Sequence, residues 1–145
     1  MTPHIDRGRT FREYDYPREP GLYTPTRHFI HRAKEPERFL TGEVIERCIT
    51  DGELRDNGDG CACFRKGWGR GVAYYIIAGF HEMGHRVLVT GWPHFHDRQL
   101  ALASGRWASS ELDDIQSLNE RYQDRFEDKY PVYDKWLKQQ HATET

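Results

Sequence analysis

The run GVAYYIIAGF at residues 71–80 constrains this chain more than any other segment. It is β-branched and aromatic, the composition that suits pleated, buried backbone, so it predicts a strand. CACFRKGW at 61–68 precedes it across the glycine-flanked turn GWGRG, and HRVLVTGW at 85–92 follows it across HEMG. Glu53–Asp56 predicts a short strand ahead of them, with NGDG at 57–60 as its turn. Pro93 is read as the end of the last strand. About four strands in succession, joined by tight turns, predict a curved antiparallel sheet.

Helices are expected on both sides of that sheet in the chain. Thr26 can cap a short helix over 27–34, stopped by Pro36. In GEVIERCITDG, Val44, Ile45, Cys48 and Ile49 share one apolar face against Glu43, Glu46 and Arg47, and Gly52 closes the helix. Arg98–Ala103 is expected to be helical. A longer helix, capped by Ser109 or Ser110, carries the stripe Leu112, Ile115, Leu118, Tyr122 and Phe126 to about Lys129. Pro131 breaks it before a final short amphipathic turn. The fold class is α+β, with two short N-terminal helices and C-terminal helices packed on the sheet.

Residues 1–22 mix charge, prolines and isolated aromatics without periodicity, and are read as an extended arm. Residues 23–97 form the expected α+β core and 98–145 a C-terminal helical extension. At 145 residues and 37% hydrophobic, the chain can bury a modest core. No apolar run approaches the roughly 20 residues that span a bilayer, and the N-terminus lacks a secretory core, so no membrane association and a cytoplasmic location are expected. Cys48, Cys61 and Cys63 are expected to be reduced. Cys61 and Cys63 point the same way on a strand, a poor geometry for a disulfide. A net charge of −2 argues against bulk nucleic-acid binding, but Arg65, Lys66, Arg70 and Arg86 fall within one stretch against Glu82 alone. By contrast, Glu111–Asp134 is acid-rich.

Candidate chemistry lies in four places. His28 and Arg32, four apart, share a helix face; an imidazole can move a proton near neutral pH while a guanidinium grips phosphate. Arg65, Lys66 and Arg70 offer fixed cations for charge building on a transferring phosphate. Trp68, Tyr74 and Tyr75 stand near them as stacking or packing residues. His94 and His96, in PHFHD, offer an acid–base pair or, with Asp97, a metal site. Finally, HEMGH matches HExxH, with His81 and His85 as zinc ligands and Glu82 as base. That motif requires a helix. Gly84 within it, and strand-like runs on both sides, predict a hairpin instead; each interior glycine would cost a helix roughly 1 kcal/mol.

Taken together, residues 27–93 resemble the RelE-like superfamily of small ribonuclease toxins, nearest its BrnT-like branch. The blocks that carry the resemblance are His28 to Arg32, GEVIERCITDGEL at 42–54, CACFRK, VAYYIIAGF and RVLVTGW. Pro36 stands where a second arginine would follow one turn on, with Arg38 displaced, and the chain from Asp97 onward is an addition. The resemblance implies a metal-independent endoribonuclease that needs no cofactor and cleaves by attack of the substrate's 2′-hydroxyl. His28, Arg32, Arg65 and Lys66 would be catalytic, and Arg70, Tyr74, Arg86, His94 and His96 would bind substrate. RNA and a cognate antitoxin would be the partners. The alternatives are a non-catalytic protein- or nucleic-acid-binding module of the same fold, or a zinc hydrolase acting through His81 and His85.

Overall fold

A computed structural model describes residues 5–144; the first four residues of the arm and Thr145 lie outside it. The fold is α+β, as expected, but the sheet is five-stranded and mixed, in the order β1-β5-β4-β3-β2. The strands are β1 (Thr24–Pro25), β2 (Glu53–Gly58), β3 (Cys61–Gly67), β4 (Val72–Phe80) and β5 (Arg86–Phe95). The fifth strand is the correction: β1 pairs in parallel with Val87 and Leu88 of β5. Two residues carry no periodicity by which such a strand could be recognised. β2 to β5 form the expected antiparallel meander.

Among the described residues five α-helices flank the sheet: α1 (Arg27–Ala33), α2 (Gly42–Asp51), α3 (Arg98–Ala103), α4 (Ser109–Lys129) and α5 (Pro131–Glu144). The Thr26 hydroxyl caps α1, accepting from Phe29 N at 3.0 Å, and Thr41 caps α2 in the same way. At α4 the cap is not the expected serine: Ala108 is the N-cap, and its N–H donates to the Glu111 carboxylate at 2.7 Å. Alternation along β4 splits the core into two layers. Val72, Tyr74, Ile76, Ala78 and Phe80 meet Phe29, Leu40, Val44 and Ile49, along with Tyr16 and Tyr23 from the N-terminal region. Ala73, Tyr75 and Ile77 meet Phe126, Val132, Tyr133 and Trp136 from α4 and α5. Helix α4 serves both layers, since Leu112 and Ile115 join the first and Leu118 and Phe126 the second. The N-terminal arm crosses the end of the sheet, where Asp6 N donates to Phe80 O at 2.8 Å and Ile5 bridges His81. Gly60, at φ +76°, lets it pass, because a Cβ there would collide with the backbone of Asp6 and Arg7.

Two details of β5 position the site. First, its pairing with β4 slips between Ile77 and Ala78, which face Thr90 and Leu88, so Val89 is an extra residue. This bulge breaks the alternation and turns consecutive side chains toward neighbouring surface features. Second, past β1 the strand is an edge, and buried polar side chains take the place of a sixth strand. Arg38 Nη1 donates to Gly91 O at 2.8 Å, and Asn119 Nδ2 donates to Pro93 O at 2.9 Å. Asn119 Oδ1 also accepts from Phe95 N at 3.3 Å. Pro93 therefore does not end β5. A proline is tolerated on an edge, where its missing N–H breaks no ladder.

Candidate functional site

Helix spacing puts His28 and Arg32 on one face of α1, and both line a hollow of about 50 Å³. The opposite wall comes from α4, where Tyr122, Arg125 and Lys129 share that hollow with Arg38 and Thr90. Arg38 reaches the hollow from the end of the 3-10 turn Pro36–Arg38. The Tyr122 ring organises the cluster. The guanidinium carbons of Arg32, Arg38, Arg121 and Arg125 lie 5.5, 5.3, 5.4 and 5.9 Å from its centroid, within cation–π range.

Two carboxylates answer part of this charge. Glu35 pairs with Arg32 at 2.7 Å and with Arg38 Nε at 3.6 Å, and Glu37 pairs with Arg121 at 2.9 Å. Among the described residues no ion pair engages Arg125 or Lys129. Arg38 is 1% exposed and its Nε makes no hydrogen bond. A surplus of positive charge thus surrounds a space sized for one small anion. The His28 imidazole registers it: burial first, then Arg32, Arg38 and Lys129, hold its pKa below the usual histidine range.

That shift has a definite sign. Because the folded pKa lies below the unfolded one, the unfolded chain takes up the proton first as pH falls. His28 therefore costs stability increasingly from about pH 6.5 downward, until the folded imidazole is itself protonated. An anion in the hollow reverses the bias. Following the imidazole carbon-bound protons by NMR should show the His28 pKa rising when inorganic phosphate is added; an unchanged titration would argue against an anion at this position.

A larger cleft of about 610 Å³ adjoins the hollow and shares His28, Lys129 and Tyr130 with it. Burial pushes the Tyr130 phenol up to about 12, so it remains neutral. Cys61, also on this wall, is pushed up to about 11 by burial and stays a thiol rather than a nucleophile. Cys48, Cys61 and Cys63 are all buried and none is paired in a disulfide.

The other expected site residues lie elsewhere, and none lines the hollow or the cleft. Strand alternation separates Arg65 from Lys66: Arg65 donates to the Tyr75 hydroxyl at 3.2 Å beside Trp136, whereas Lys66 pairs across the strand with Tyr74. Tyr74 is 1% exposed and donates to Phe39 O, a packing role rather than a ligand contact. Arg70 is exposed in the β3–β4 turn. Arg86 Nε binds Asp15 O at 2.6 Å and lies over Phe80. His94 Nδ1 meets the Tyr133 hydroxyl at 2.8 Å, and His96 N donates to Gly71 O. HEMGH forms a turn: Gly84 N and His81 N bond to His81 O and His85 O, and the two imidazoles stack 4.5 Å apart. The helix that a HExxH site requires is therefore not formed. Among the described residues no group of three or more His, Cys, Asp or Glu is arranged to hold a metal, and no helix is long and apolar enough to cross a membrane.

Arg121, Arg125 and Lys129 repeat every fourth residue, but the sequence around them disguises the pattern. Interleaved Glu120, Asp124, Glu127 and Asp128 made the segment look acidic, while helix spacing gathers the cations on one face. Comparison with family models, curated proteins and solved structures returned no match to this chain. The RelE-like resemblance accordingly rests on its residue blocks alone.

Proposed function

We propose that this chain holds an RNA phosphodiester in the His28–Arg32 hollow and cleaves it without a metal. The observation that carries the reading is a neutral-leaning imidazole set in a cationic hollow the size of a phosphate. His28 would take the proton from the substrate's 2′-hydroxyl, whose oxygen attacks the adjacent phosphorus. The bond to the 5′-oxygen breaks, leaving a 2′,3′-cyclic phosphate and a 5′-hydroxyl protonated from water. Arg32, Arg125 and Lys129 would stabilise the extra charge on the phosphorane, the step where fixed cations contribute most. A neutral imidazole at physiological pH is the form this role requires. An antitoxin-type partner would have to cover this hollow rather than the strand bearing Arg65.

In chelator-treated buffer, His28→Ala should lower RNA cleavage by about a hundredfold or more, the usual contribution of a positioned base. A 2′-deoxy residue at the scissile position should block cleavage altogether. Lys129→Gln should weaken cleavage and lower the salt sensitivity of what remains, because one cation–phosphate contact is lost. If the wild-type protein does not cleave RNA, or if His28→Ala cleaves as well as wild type, the catalytic reading fails. One observation favours a non-catalytic phosphate-binding module: Glu35 already occupies Arg32. In that case RNA is retained on a filter by wild type, released by Lys129→Gln, and never cut.

A further inference from the structure

We propose that the larger cleft is the nucleoside subsite of this same site, so that hollow and cleft together accept one nucleotide. The phosphate lies toward Lys129 and His28, and the base and sugar lie against Tyr130, Pro131 and Val89. The inference rests on the phosphate-binding reading above and adds what the anion is attached to.

Continuity is the first support. His28, Lys129 and Tyr130 belong to both walls, so a group leaving the hollow enters the cleft directly. The β5 bulge is the second. It gives Val89 to the cleft and its neighbour Thr90 to the hollow, so one backbone irregularity lines both compartments. Size is the third: about 610 Å³ falls within the range of small-molecule sites, and the hollow alone is too small for more than the phosphate.

The chemistry of the cleft also differs from that of the hollow. Ile5, Cys61, Val89 and Pro131 supply apolar surface for a planar ring. Near the end of β2, at its bulge, Asn57 is buried and its Oδ1 accepts from Val132 N at 3.4 Å, which leaves its amide hydrogens to donate. Asp59, in the β2–β3 turn, pairs with Arg7 and presents carboxylate oxygen to hydroxyl or amino donors. An apolar wall with a few polar groups, next to a cationic pocket, matches a nucleoside joined to a single phosphate.

The test is titration of the isotopically labelled full chain, by NMR and calorimetry, with inorganic phosphate, adenosine and adenosine 3′-monophosphate. The nucleotide should bind about tenfold more tightly than phosphate, the return expected from stacking one base. It should shift the amides of Asn57, Asp59 and Val89, which phosphate leaves unmoved. Asp59→Asn, a residue that tolerates the φ of +57° at this position, should lower nucleotide affinity severalfold without weakening phosphate. If the nucleotide binds no better than phosphate while Lys129→Gln weakens both, the subsite is wrong and the anion hollow stands. If neither phosphate nor nucleotide binds, both readings fall. Tighter nucleotide binding that ignores Asp59→Asn and shifts amides elsewhere also overturns the subsite. Where the nucleotide binds as expected, a tetranucleotide RNA that binds still more tightly identifies a polymer as its source, and equal affinity identifies the free nucleotide.

Discussion

Trp92→Ala is expected to destabilise the fold by about 3–5 kcal/mol, the range for deleting a large buried aromatic side chain. Trp92 is fully buried, stacked 4.1 Å from Phe126 and 5.7 Å from Tyr75, with Tyr133 meeting it edge-on at 5.2 Å. One indole therefore joins β4, α4 and α5, and its loss opens a cavity that neighbours on three elements would have to fill. In thermal unfolding this corresponds to a midpoint lowered by roughly 6–20 °C for a domain of this size. Trp92→Phe should recover part of the loss. A shift of under about 1 kcal/mol for the alanine variant would mean that the C-terminal helices do not depend on the sheet through this ring.

Arg38→Met should cost about 3 kcal/mol or more, despite keeping the apolar stem. The Gly91 carbonyl loses its donor in a buried setting, and Glu35 loses one of its two cations. Breaking a buried charged contact from one side leaves the partner's desolvation unanswered, which is why the loss exceeds that of a surface pair. Burial and the neighbouring Arg32 act to lower the Arg38 pKa, while Glu35 opposes them. Chemical denaturation measures the stability change, and the same variant should bind phosphate more weakly. Unchanged stability would show that water serves the β5 edge equally well.

Much of this architecture is readable from residues because local rules agree along the chain. β3, β4 and β5 announce themselves by composition and by the turns between them, and α2 by its single apolar face. Trouble begins where a local sign has two meanings. Pro93 reads as a stop, yet it lies within a strand whose proline faces an edge. Nothing in the local sequence marks Asn119 or Arg38 as buried, yet each completes the backbone of a strand distant in sequence.

The candidate site divides in the same manner. His28 and Arg32 were legible because four residues on a helix make neighbours. Arg121, Arg125 and Lys129 obey the same spacing but are concealed by acids on the other sides of α4. Arg38 depended on a proline-initiated turn whose direction only tertiary packing sets. Arg65 and Lys66 illustrate the opposite error. Adjacent residues on a strand look like a pair in sequence and point to different layers in space.

The polar substitutes along β5 also govern how this sheet can meet other chains. With its outward carbonyls already answered by a guanidinium and a carboxamide, that margin offers no template for an incoming segment to zip onto. The strand at the far margin carries Glu53, Arg55 and Asp56, charges that discourage edge-to-edge pairing between copies.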